Sequence, residues 1–134
     1  MGGEEKVRSY LLDLGLSYEE VGDSTFLIND EEKGLKNIVA MVSEPLVILR
    51  VKVMEMPDSD REQLYKELLR LNAEDLIHGA YALEGDHVIL IDTLEVETMD
   101  LEELRASFEA IGLALVQHYK VLGRYRQKSK REGV

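Results

Sequence analysis

The chain has 134 residues, which is enough for one hydrophobic core and too few for two independent domains. Its hydrophobic fraction of 45% and charged fraction of 32% are ordinary for a globular protein, and no apolar run reaches the roughly 18 residues that a membrane span needs. The absence of cysteine excludes disulfides, thiolate nucleophiles and cysteine-bound metals. The first residues lack the features of an export signal or a myristoylation site. We therefore expect a soluble, cytoplasmic protein.

The charge is distributed unevenly along the chain. Residues 120–134 contain six bases and one acid, a net charge of +5, so residues 1–119 carry −16 within the total of −11. The acidic body is expected to repel nucleic acid and anionic lipid, so we expect neither as a partner, whereas it can attract basic or amphipathic polypeptide. The basic segment from Arg124 to Arg131 is typical of a solvated helix end, and contact with an anion is the alternative.

The first part of the chain predicts one helix followed by strands. Val7, Tyr10, Leu11 and Leu14 fall on one helical stripe that ends before Gly15. Turn residues then separate short apolar segments, as expected for strands joined by hairpins. The predicted strands are residues 16–21, 25–29, 37–43 and 46–56.

The second part predicts a helix, a hairpin and a long closing helix. Ser59 and Glu62 have the spacing of a capping box, which predicts a helix from there to about Asn72. Residues 79–84 and 87–95 flank a Gly-Asp turn and predict a hairpin. Asp100, with Glu103 three residues later, predicts the start of a helix that continues to about Gly123. We therefore expect one domain over residues 1–123 and a mobile basic tail over 124–134.

His118 is the single polar residue on the apolar seam of the closing helix. A histidine in this position is more often hydrogen-bonded in a core or an interface than bound to a metal. If His118 lies at a dimer interface, its titration near neutral pH would weaken association.

Residues 46–56 predict a strand with two different faces. Alternation places Val47, Leu49, Val51 and Val53 on an apolar face that suits a core. The opposite face is mixed, which fits either a solvated sheet surface or a surface that meets a partner or a second copy. The candidate residues for partner binding or dimerisation on this face are Ile48, Arg50, Lys52, Met54 and Met56.

The sequence contains no pattern typical of a catalytic, metal or cofactor site. The three histidines lack metal-ligand spacing, and the acidic loop at residues 29–40 fails as a calcium loop because Lys33 and Ala40 occupy ligand positions. Asp92 interrupts an apolar stripe, and an unpaired buried carboxylate is costly, so we predict a structural ion pair with Arg50 or Lys52. A catalytic role for Asp92, in a carboxylate-based hydrolase, is the remote alternative.

The segment LLRLNAEDLIHGAYALEGDHVILIDTLEVETMDLEELRASFEAIGLAL, with Leu68, Leu71, Asn72 and residues 100–104, resembles the bacterial type III secretion chaperone-like superfamily. This superfamily includes the Tir chaperone family and the YbjN sensory-regulator-like proteins. The resemblance implies an α+β fold with one antiparallel sheet flanked by helices, in the order α-β-β-β-(β)-α-β-β-α. It also implies a homodimer that uses no metal or nucleotide cofactor. The basic tail is not part of this pattern.

The resemblance and the acidic body together predict a function. We expect a non-enzymatic, dimeric, chaperone-like protein that binds a polypeptide client through apolar sheet or helix surface. The alternative is a regulatory adaptor of a signalling or stress pathway, like the YbjN proteins, which would bind one folded partner.

Overall fold

The computed structural model describes the backbone of residues 2–132 and the side chains of residues 2–126. Its elements are α1 (Gly3–Asp13), β1 (Tyr18–Gly22), β2 (Thr25–Asp30), a 3₁₀ turn (Glu31–Lys33), β3 (Leu35–Ser43), β4 (Leu46–Glu55), α2 (Arg61–Glu74), β5 (Ala80–Glu84), β6 (His87–Glu95), α3 (Leu101–Gln117) and α4 (Tyr119–Glu132). The α+β fold and the order of elements are as predicted up to the end of α3. None of the described helices combines the length and the apolar character that crossing a lipid bilayer requires.

The six strands form one antiparallel sheet in the order β1-β2-β3-β4-β6-β5. Consecutive strands pair as hairpins, except that β6 inserts between β4 and β5. The outer strands are therefore β1 and β5. The single antiparallel sheet confirms the predicted fold class.

All four helices contribute to one core on one face of the sheet. Alternate strand residues such as Phe26, Leu49 and Leu90 are buried in it, and each side chain of this size contributes about 1.5–3 kcal/mol when it leaves water. The helices supply Val7 and Leu11 from α1, Leu64, Leu68 and Leu71 from α2, Leu104, Phe108 and Ile111 from α3, and Leu122 and Tyr125 from α4. The opposite face of the sheet is left without a helical layer.

Two predicted helix starts have different outcomes. Asp100 caps α3 as expected, because its Oδ1 accepts a hydrogen bond from the Glu103 backbone N–H at 2.8 Å. The capping box at Ser59 is wrong. The helix α2 begins at Arg61, after Asp60, whose backbone lies in the left-handed region at φ +57°. The chain therefore makes an additional turn at Asp60 before α2 begins.

The predicted closing helix is two helices that meet at His118. The helix α3 ends there, with the His118 N–H bonded to the Ala114 carbonyl at 2.9 Å, and α4 continues to Glu132. The predicted domain boundary after Gly123 falls inside α4, and Tyr125 beyond it is buried in the core. The domain therefore extends past Gly123. The side chains of the predicted tail from Gln127 onward lie outside the described residues.

Candidate partner-binding surface

A β-bulge in β4 changes which residues face the core. Lys52 pairs with Ile89 and Met54 pairs with Val88, so Val53 is an extra residue between them. One extra residue reverses the alternation that follows it. Met54 and Met56 consequently point into the core, where they are 5% and 6% exposed. Their predicted position on the mixed face of the strand is wrong for this reason.

The predicted residues before the bulge lie on the side of the sheet that the helices leave uncovered, which we call the open face. Ile48 is half-buried there and pairs with Met41 on β3 and Thr93 on β6. Register pairing places six large apolar residues on the open face: Leu27, Val39, Met41, Ile48, Ile89 and Ile91. Arg50 and Lys52 share this face, so three of the five predicted residues belong to one surface.

Both cations of the open face are paired with acids. Arg50 on β4 forms an ion pair with Glu84 on β5, across the intervening strand β6. Ile89 on β6, which pairs with Lys52 and Ala82, is buried although it faces away from the helices. Lys52 Nζ lies 3.8 Å from Glu55 Oε1. Exposed pairs of this kind contribute only about 0–1 kcal/mol to stability, and each one leaves no net charge at its position.

Asp92 does not make the predicted ion pair. It pairs in register with Leu49 and so projects to the helix side of the sheet, whereas Arg50 and Lys52 project to the open face. Asp92 Oδ1 accepts a hydrogen bond from the Thr93 backbone N–H at 2.9 Å. Among the described residues, no hydrogen-bond donor reaches its buried Oδ2. The predicted ion pair is not formed because Asp92 and the two cations lie on opposite faces of the sheet, as the alternation of side chains along each strand requires.

A largely buried polar cluster that was not predicted from the sequence joins β5 to the junction of α3 and α4. His118 Nδ1 lies 2.6 Å from Tyr81 Oη, and His118 Nε2 lies 3.1 Å from Asp75 Oδ2. Burial raises the pKa of Tyr81 to about 12, with the positive charge of Arg126 opposing the rise and the Asp75 carboxylate adding to it. His118 thus lies inside the protomer. The signal in the sequence was the single polar position on an apolar helix seam.

A six-stranded antiparallel sheet with helices on one face has the fold of the type III secretion chaperone-like proteins. The family model CesT_Tir_1 matches residues 3–128, and the chain belongs to this family. No curated protein sequence matches the chain.

Three solved structures share this fold at low sequence identity. YbjN from E. coli has a TM-score of 0.68 and 17% identity, over 89% of this chain and 92% of its own. The ExoU–SpcU complex from the type III secretion system of Pseudomonas aeruginosa gives 0.66 and 16%, over 81% and 91%. The Yersinia pestis secretion chaperone SycH, in complex with a fragment of YscM2, gives 0.60 and 18%, over 87% and 98%.

Proposed function

We propose that this protein is a non-enzymatic, cytoplasmic, chaperone-like protein that binds a polypeptide through the open face of its sheet. The observation that carries this proposal is the row of apolar side chains on the face without helices. Met41 is exposed, and Leu27, Val39, Ile48 and Ile91 are half-buried. Contiguous apolar surface that water can reach on a globular protein marks a site of interaction. SycH and SpcU have this fold and are seen in complexes with other proteins, which supports the proposal.

The dimensions of the row suit a polypeptide segment. It crosses the four adjacent strands β2, β3, β4 and β6, which at roughly 4.8 Å between strands gives a width of about 14 Å. The cations at Arg50 and Lys52 are already paired, so binding would be driven by removing Leu27, Val39, Met41 and Ile48 from water. A surface of this kind holds a chain rather than enclosing a substrate.

Site-specific cross-linking tests the proposal. A photoreactive phenylalanine at Ile48 should capture a protein in the native cell, and mass spectrometry should identify it. The same group at Leu12, which is 64% exposed on α1, is the matched control and should not capture that protein. Ile48→Glu should abolish co-purification of the captured protein, whereas Leu12→Glu should not. Equal capture from both positions would contradict the proposal.

The form of the captured protein separates a chaperone from a regulatory adaptor. A client should be held through a protease-sensitive, extended segment, because the open face offers a surface and no deep recess. An adaptor should instead capture one partner that is folded and protease-resistant in the complex. Limited proteolysis of the cross-linked product distinguishes the two.

We also propose that the protein forms a homodimer through α2 and β5. Tyr65 and Leu69 are exposed, and their spacing of four residues places them on one side of α2. Leu83 is exposed on β5, the strand against which α2 packs. Light scattering should give the mass of a dimer for the natural protein and of a monomer for Leu69→Glu. A dimer in Leu69→Glu would place the interface elsewhere, and Leu12→Glu serves as the control.

A further inference from the structure

A second apolar surface lies on the helix side of the molecule, far from the open face in the fold. A cavity of about 280 Å³ runs between α3 and the connector that joins α2 to β5. Ala106, Ala110 and Ala114 of α3 form one side of it, and Leu76, Ile77 and Leu113 border it. We call this cavity the α3 groove.

The α3 groove is bordered by unusually exposed apolar side chains. Ile77 is 88% exposed in the connector, and Val116, one turn after Leu113 on α3, is 71% exposed. Leu113 is 57% exposed. Ile77 and Leu113 line the same cavity, which sets them apart from the single exposed apolar residues that are normal on a protein surface.

The shape of the α3 groove favours a helix as its occupant. The three alanines are spaced by four residues, so they lie along one side of α3 over about 12 Å. Small side chains allow a second helix axis to approach to about 8 Å, the lower end of the usual range. A strand has no partner there, because the backbone groups of α3 are already hydrogen-bonded within the helix.

The charge of the α3 groove selects the kind of helix. Among the described residues, its titratable lining consists of Asp75, Glu109 and His78, and it includes no lysine or arginine. Asp75 uses Oδ2 to accept from His118, and its side chain remains 46% exposed. Acidic groups beside an apolar groove are complementary to basic groups that flank an apolar stripe.

We propose that the α3 groove binds an amphipathic helix of a partner protein, with basic residues flanking the apolar side of that helix. The chain's own basic helix α4 is not the occupant, because its Leu122 and Tyr125 are already buried in the core. The α3 groove is thus a second binding surface, and it does not depend on the function proposed for the open face.

Peptide binding to the full-length protein tests this proposal. The probe is a fluorescent synthetic helix with leucines on one side and flanking lysines, and its counterpart has glutamates at the lysine positions. Fluorescence anisotropy should detect binding of the lysine peptide only. Leu113→Gln with Val116→Gln should weaken that binding about tenfold, which is the loss of roughly one to two apolar contacts.

Two matched variants distinguish binding in the α3 groove from binding elsewhere on the protein. Leu12→Gln changes an equally exposed apolar residue on α1 and should leave binding unchanged. Ile48→Gln changes the open face and should also leave peptide binding unchanged. A failure of this experiment can therefore be distinguished from a failure of the cross-linking test. Unchanged binding in the Leu113, Val116 variant would overturn the proposal, since the peptide would then be held only by the acidic body. Self-association that this variant abolishes would overturn it too, because a second copy would be the occupant.

Discussion

The side chain of Asn72 makes two hydrogen bonds with the backbone of Tyr81. The Tyr81 N–H donates to Asn72 Oδ1 at 2.7 Å, and Asn72 Nδ2 donates to the Tyr81 carbonyl at 3.2 Å. Asn72 lies near the end of α2, and Tyr81 lies on β5, an outer strand of the sheet. Outer strands expose backbone groups that readily pair with another chain. Asn72 therefore takes the place of a neighbouring strand at Tyr81 and closes this part of the edge.

Replacing Asn72 should weaken the fold and open this edge. Asn72→Ala removes both hydrogen bonds and should lower the free energy of unfolding by about 1–3 kcal/mol, measured by urea denaturation. The Tyr81 amide should also exchange with solvent faster. Asn29→Ala, which removes one exposed hydrogen bond to the Asn37 N–H, is the control and should cost less. An unchanged exchange rate at Tyr81 would show that Asn72 does not protect the edge.

Stability should fall at high pH because of Tyr81. Its folded pKa is raised to about 12 from the usual 10, so the folded protein holds the phenolic proton more tightly than the unfolded chain does. The resulting stabilisation is fully present below pH 10 and is lost as the pH rises to about 12, with a magnitude on the order of 2 kcal/mol. Urea denaturation at a series of pH values should show this decline.

Tyr81→Phe isolates that contribution from the other tyrosines. The variant should be less stable at neutral pH, by about 1–3 kcal/mol, because His118 Nδ1 loses its partner in a buried position. It should also show a shallower decline above pH 10 than the natural protein. Parallel pH profiles for the two proteins would be inconsistent with a raised pKa at Tyr81.

Gly79 and Gly85 should respond differently to alanine. Both have positive φ, +81° and +57°, which costs an L-residue about 1–2 kcal/mol. A Cβ at Gly79 would also lie 2.8 Å from the Ile91 carbonyl oxygen, whereas a Cβ at Gly85 meets nothing within 4 Å. Gly79→Ala should therefore lower the thermal midpoint more than Gly85→Ala does. Equal midpoints would mean that the backbone relaxes freely at Gly79.

Met54 and Ile48 test how the bulge divides β4 between core and surface. Met54→Glu places a charge in the core and should prevent folding or lower stability by several kcal/mol. Ile48→Glu places the same charge on the open face and should leave a folded protein with native circular dichroism. If Met54→Glu folded as well as Ile48→Glu, the reversal of faces at Val53 would be wrong.

Much of the fold follows from local patterns in the sequence. The strands flanking Gly85 and Asp86 were predicted to within one residue, because alternation and turn chemistry are both properties of neighbouring residues. The cap at Asp100 was predicted for the same reason. The surface around Ile48, Arg50 and Lys52 followed from alternation as far as the strand stays regular.

The remainder depends on contacts between distant residues. Val53 differs little from its neighbours, and only the pairing of β4 with β6 reveals it as the extra residue. Residues on both sides of His118 are compatible with a helix, and the partners of this side chain at the junction of α3 and α4, Tyr81 and Asp75, are distant in the sequence. The α3 groove was missed because it requires the connector near Ile77 to lie against α3.

The bulge at Val53 also affects how relatives of this chain should be aligned. Its carbonyl accepts a hydrogen bond from Arg126 Nη2 at 3.3 Å, so one inserted residue joins β4 to the last helix. A homologue that lacks this residue would have regular alternation, with the positions of Met54 and Met56 still in the core and no bulge carbonyl for Arg126. An alignment that omits a one-residue gap at Val53 would therefore set the core positions of Met54 and Met56 against surface positions of such a homologue.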